Sequence, residues 1–170
     1  LEKKLHDFIL SNRFINKSLF EIEKLFFLEK KNKNTESKHV FITSLPRSGT
    51  TLLLNYIHSS YEFYSLTYRN MPFIMAPNFS KFLKKKNFLQ KKERFHKDGV
   101  MYALDSPESF DEVFFKTFND KNDNKNTLFV DFVSLVTKNN KKRYLSKNNN
   151  NYKRIDFLTS TFPNSLILIP

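Results

Sequence analysis

SLPRSGTT, Ser44 to Thr51, is the stretch on which the fold turns. Before it runs VFIT, Val40 to Thr43, β-branched and apolar, which reads as a buried strand. After it, Leu52, Leu53, Tyr56 and Ile57 recur at helical spacing. A turn between strand and helix faces the unpaired N–H groups and the positive dipole end of the helix, so it is an anion site. Pro46 stiffens the turn, Gly49 lets backbone amides approach a ligand, Ser48, Thr50 and Thr51 add hydroxyls, and Arg47 adds a fixed charge. A Walker loop would read GxxxxGK[ST]. Here Ser44 replaces its first glycine and Thr50 its lysine, so only Gly49 and Thr51 stay in register and ordinary ATP binding is disfavoured. The anion expected is one served by an arginine and hydroxyls.

Working outward, the segment from Leu5 to Glu29 is helical in pattern, with Leu5, Phe8, Ile9, Leu19, Ile22, Leu25 and Phe26 as its apolar face. A polar linker, Lys30 to Lys38, leads to the first strand. EFYSL, Glu62 to Leu66, is a second strand, which makes a strand–helix–strand unit with parallel pairing and a right-handed crossover. Tyr68 to Asn70 then fall at a ligand-binding strand end. MPFIMAPNF, Met71 to Phe79, is either substrate-pocket wall or core. Lys81 to Lys97 reads as a helix followed by a turn at Asp98-Gly99. A further helix starts at Ser106-Pro107, with carboxylates in its first turns. Asn119 to Asn126 is a solvated loop and Leu128 to Thr137 a helix. RYLS, Arg143 to Ser146, is a third strand with Lys147 at its carboxyl end. NNNN, Asn148 to Asn151, caps a helix from Tyr152 to about Phe162, and SLILI, Ser165 to Ile169, is a fourth buried strand.

Composition bounds the partners. A chain of 170 residues, 39 % hydrophobic with 20 Phe, has enough apolar mass for one core. The absence of Cys excludes disulfides and thiolate metal sites and suits a reducing, cytoplasmic setting. No apolar run reaches the roughly 20 residues of a membrane span, and no signal peptide is visible. The net charge of +12 fits an anionic cofactor, nucleic acid or an acidic surface, but Lys and Asn recur throughout with only 2 Gly, a bias that A/T-rich coding produces by itself.

The loop PRSGTT after a strand resembles the 5′-phosphosulfate loop of the sulfotransferases that use 3′-phosphoadenosine 5′-phosphosulfate (PAPS). The likeness continues through RFHKDG (Arg94 to Gly99), DSPESFDEVFFK (Asp105 to Lys116) and RYLSKNNNNYKRI (Arg143 to Ile155), as in bacterial members. The resemblance implies an α/β fold, a P-loop-like parallel sheet flanked by helices. Residues 1–38 are then an N-terminal helix and linker, and residues 39–170 the N-terminal part of a single domain. It implies sulfuryl transfer from PAPS, with PAP as product and no metal, to a hydroxyl or amine of a small-molecule or glycan acceptor, with neither nucleic acid nor membrane span.

Pro46, Arg47, Ser48, Gly49, Thr50 and Thr51 would hold the cofactor, and the resemblance places Lys147 near the donor's bridging oxygen. Many relatives carry a basic His two residues after that Lys, where this chain has Asn149. The general base is therefore sought in His96, Asp98, Glu108 or Glu112. The Arg and Ser that usually bind the 3′-phosphate are missing from the chain, so that half of the cradle is expected past Pro170, with Arg143 or Arg154 as the alternative. A fragment ending there is expected to be inactive and poorly soluble. Two rival classes, a kinase-like P-loop nucleotide-binding protein and a basic nucleic-acid-binding module, stay open on charge alone. The missing Walker Lys counts against the first and the absence of any nucleic-acid motif against the second.

Overall fold

The computed structural model describes residues 2–29, 37–45, 48–82, 92–93, 101–120, 123–138 and 141–170. Four parallel strands form its centre: β1 (Val40–Ile42), β2 (Phe63–Tyr64), β5 (Arg143–Lys147) and β6 (Leu166–Leu168), in the order β2-β5-β1-β6. The helices are α1 (Glu2–Ser11), α2 (Arg13–Phe27), α3 (Thr50–His58), α4 (Glu112–Thr117), α5 (Lys125–Val136) and α6 (Ile155–Thr161). A separate ribbon pairs β3 (Lys92–Glu93) antiparallel with β4 (Met101–Tyr102).

Side chains alternate across the sheet and so divide the core in two. Val40, Ile42 and Leu145 face α3, where Leu54 is buried and Leu53 and Ile57 pack beside it. Phe41 and Tyr144 face the other way, into an aromatic cluster built from Phe20, Phe114, Phe118, Phe129, Phe132 and Phe162. Phe114 lies 5.0 Å from Phe132 and 5.1 Å from Phe129, and Phe20 meets Phe118 edge-on at 5.3 Å. Such pairs add roughly 0.5–1.5 kcal/mol each beyond their buried area.

The chain leaves β1 through α3 toward β2, whereas it leaves β5 through α6 toward β6 on the opposite edge. The carboxyl end of β1 is thus the point where connections diverge, the place at which open parallel sheets bind ligands.

Several expectations are corrected. The first helical segment is two helices, because the Asn12 side chain accepts from Ile15 N at 3.1 Å and starts α2 afresh. Its buried anchors are Asn16, Phe20 and Glu23, while Leu5, Phe8, Ile22, Leu25 and Phe26 are exposed. On α3, Leu52 and Tyr56 also face solvent. Met71 to Phe79 is core at its centre, with Ile74, Met75 and Ala76 fully buried. Glu23 fastens this segment to α2, accepting from Asn78 N at 2.6 Å and Phe79 N at 3.1 Å.

In the segment read as a helix from Lys81, the structure shows Lys81 closing a short 3₁₀ turn and β3 at Lys92–Glu93; the rest of that segment and Asp98-Gly99 lie outside the described residues. The helix expected from Ser106 begins only at Glu112. Pro107 instead bridges Thr67, and Glu108 N donates to Leu66 O at 3.2 Å, which ties this strip to the end of β2 and delays the helix. Residues Asn149–Arg154 are 3₁₀ rather than α-helical, with the Asn148 side chain as cap.

Candidate functional site

The Ser44–Thr51 turn leaves the carboxyl end of β1 and enters α3. Thr43 continues the sheet, its N–H donating to Leu168 O at 2.9 Å and its hydroxyl to Asn149 O at 3.3 Å. Ser44 and Ser48 share a hydrogen bond, and the Ser48 hydroxyl also reaches Leu45 O at 2.9 Å. Pro46 and Arg47 lie outside the described residues.

Gly49 is the N-cap of α3 with φ +78°, and no side chain caps the helix there. The amides of its first turn therefore point out unpaired by the cap. Among the described residues, nothing lies within 4 Å of a Cβ placed at Gly49. Backbone conformation, rather than crowding by the protein, is what calls for glycine.

Lys147 pairs in register with Ile42, directly across from the strand that feeds the turn, and alternation puts it on the α3 side of the sheet. Its side chain, 11 % exposed, ion-pairs at 3.5 Å with Glu108, whose side chain is 16 % exposed. Glu108 reaches this position because residues 103–110 run along the end of β2, where Arg69 N donates to Leu104 O at 2.8 Å and Tyr68 N to Ser106 O at 3.3 Å. A bidentate Arg69–Asp105 pair, 2.7 and 2.9 Å, locks that strip and holds the Asp105 carboxyl below its ordinary range.

Glu112 stands on the other side of the sheet. Arg154 grips both its oxygens at 2.9 and 3.1 Å while lying 3.9 Å over the Phe115 ring, and Asn148 Nδ2 donates to it at 2.7 Å. Burial works to raise its carboxyl, but the bonds from Arg154 and Asn148 outweigh it and leave the group below its usual range. The geometry thus brings Lys147 to Glu108 and sets Glu112 in a clamp with Arg154. His96 and Asp98 lie outside the described residues. Arg143 and Arg154, the alternative phosphate ligands, are both engaged, Arg143 with Glu62 at 2.5 Å.

Asp111 was not legible as a site residue. It is 2 % exposed, accepts from the Ser146 hydroxyl and from Asn148 Nδ2 at 3.2 Å, and burial pushes its carboxyl up to about 6. Among the five acidic or polar residues of SPESFDE nothing in the sequence marks it; only its depth does. Asn149 Oδ1, buried beside the turn, has no hydrogen-bond partner among the described residues. No group of three or more His, Cys, Asp or Glu that could hold a metal ion occurs among the described residues, and none of their helices is long and apolar enough to cross a membrane.

A family model described as "Sulfotransferase family" matches residues 39–169, most of the chain, and the chain belongs to that family. Comparison with curated proteins and with solved structures finds no match. The parallel sheet flanked by helices is the α/β arrangement that the motif implied.

Proposed function

We propose that the chain transfers a sulfuryl group from PAPS to a hydroxyl or amine of a small-molecule or glycan acceptor, in the cytoplasm. The observation that carries this reading is the half-buried Lys147–Glu108 pair at the strand end beside an uncapped, glycine-started helix. The residues fit the donor: among the described residues nothing crowds Gly49 and no side chain caps α3, so its first-turn amides and the hydroxyls of Ser44 and Ser48 suit a phosphosulfate, and Asn149 Oδ1, without a partner among those residues, suits a donor hydrogen of a ligand.

When bound, PAPS supplies an activated sulfuryl group. The turn's amides with Ser48, Thr50 and Thr51 hold its oxygens, and Arg47 adds fixed charge. Lys147 leaves Glu108 to balance negative charge at the leaving oxygen, since positioning and charge neutralisation are most of what such a transfer needs. Glu108 then accepts the acceptor's proton. Glu112 stays bound to Arg154 and Asn148 and holds the strand end.

The test is calorimetric titration of PAP, with thermal-shift profiles for PAP, ATP and a nucleic-acid oligomer. PAP alone should stabilise the protein, and Lys147→Ala should weaken PAP at least about tenfold, about 1.4 kcal/mol. Stabilisation by ATP or the oligomer in place of PAP would overturn the reading. For the base, Glu108→Gln should cut turnover, with an acceptor drawn from a labelled-donor screen, while leaving PAP affinity near wild type. If it keeps at least half of the turnover, His96 or Asp98 holds the role.

A further inference from the structure

We propose that Asp111 is a positioning residue that aims Lys147 at the donor by gripping the residues on either side of it, Ser146 on β5 and Asn148 just past its end. The inference rests on the reading of Lys147 as a donor contact. Strand alternation sends Ser146 and Asn148 to the face opposite Lys147. There the two oxygens of one carboxylate take one each: Oδ2 accepts from the Ser146 hydroxyl, and Oδ1 from Asn148 Nδ2 at 3.2 Å.

The grip is braced on all sides. Asn148 N donates to Ile42 O at 3.0 Å, its Oδ1 accepts from Asn150 N at 2.9 Å, and its Nδ2 also reaches Glu112 at 2.7 Å. Glu112 in turn is held by Arg154. Asp111 itself sits at the start of α4, whose Phe114 and Phe115 are buried in the aromatic cluster, so the carboxylate is anchored to the core. The backbone on either side of Lys147 is thereby fixed from below, and the Lys147 side chain leaves on the opposite face, where it meets Glu108 at 3.5 Å. A buried carboxylate is expensive to keep ionised. Its retention between two neutral donors that flank a site lysine is explained by what it orients.

The test is a double-mutant cycle on PAP affinity, measured by calorimetry with the whole protein as wild type, Lys147→Ala, Asp111→Ala and the double variant, together with Asp111→Asn. Asp111→Ala should weaken PAP at least tenfold when Lys147 is present and less than twofold when it is already Ala. Asp111→Asn, which keeps two hydrogen-bonding atoms in place, should stay within threefold of wild type. Equal losses in both backgrounds would reveal mere structural damage and overturn the proposal, as would no loss in the presence of Lys147. Wild-type affinity in Lys147→Ala would instead sink the reading of Lys147 itself, and is seen without reference to Asp111. Should Asp111→Ala fail to fold, Ser146→Ala removes one of the two bonds alone. It should weaken PAP about threefold only beside Lys147, and no change would overturn the proposal.

Discussion

At Gly49 a single backbone angle separates two roles. The φ of +78° is strained for any L side chain, by roughly 1–2 kcal/mol, yet a Cβ there meets no atom of the described residues within 4 Å. Gly49→Ala should therefore lower stability in urea by only about that amount, because nothing among the described residues clashes. Its effect on PAP should be larger than tenfold, since the added methyl enters the space left for the ligand. Unchanged PAP affinity would place the phosphosulfate elsewhere. Arg47, the loop's one fixed charge, is expected to contribute at least about 1.4 kcal/mol, a tenfold loss of PAP affinity in Arg47→Ala. Thr51→Ala should lose less, because neighbouring hydroxyls share its task. Calorimetry on both variants ranks them, and the reverse order would shift the loop's main contact from the guanidinium to the hydroxyl.

At the scale of elements, α4 is six residues long and cannot hold itself together; its stability comes from what it packs against. Its start is pinned by the Arg154–Glu112 fork, whose side chains are 19 % and 23 % exposed. Such a pair lies between the exposed case, worth under about 1 kcal/mol, and the buried case, where breaking it costs about 3–5 kcal/mol. Arg154→Gln should thus destabilise by about 1–3 kcal/mol in a denaturant melt; a loss below a few tenths would mean the fork contributes nothing to the fold. Elements that declare themselves in consecutive residues were legible in the sequence: VFIT, the glycine turn, RYLS with Lys147 at its end, and SLILI as a strand, although SLILI is an edge strand with Leu166 and Ile169 exposed rather than the buried strand expected. What pairs across long stretches of chain was not. Glu108 looked like a helical residue because Ser-Pro is a good helix start, but the bridge between Pro107 and Thr67 competed for that backbone and won. Likewise the apolar stripe Leu5, Phe8, Ile22, Leu25 and Phe26 has helical spacing, yet α2 buries Phe20 instead, because that side chain is the one that reaches Phe114, Phe118 and Phe132. Asn12 did carry a readable signal, an N-capping residue in the middle of a helical run.

For the molecule as a whole, two buried groups set opposite dependences of stability on pH, and both hang on β5. His39 is fully buried, its Nδ1 accepting from Tyr144 N at 2.9 Å, and burial foremost, then Arg143, lowers it to about 4. Protonation of the unfolded chain then exceeds that of the folded one between about 4 and 6.5, so His39 makes stability rise with pH across that window. Asp111, raised by burial to about 6 from 3.8, does the reverse: the folded state holds the extra proton, and stability falls as pH rises from about 3.8 to 6. Both shifts exceed two units, so at about 1.4 kcal/mol per unit each group moves stability by about 3 kcal/mol, with opposite sign. Burial also lowers His58 and raises Glu23, which reinforces each side in turn. The wild-type midpoint should accordingly change little between pH 4.5 and 6. Asp111→Asn removes one side of the balance and leaves the other. Its thermal midpoint should climb steadily over the same interval, by an amount that corresponds to about 2 kcal/mol of stability at its end. Scanning calorimetry of both proteins at half-unit steps gives the answer. Parallel curves would mean that Asp111 titrates alike in the folded and unfolded chain and is not the desolvated carboxylate beneath Lys147.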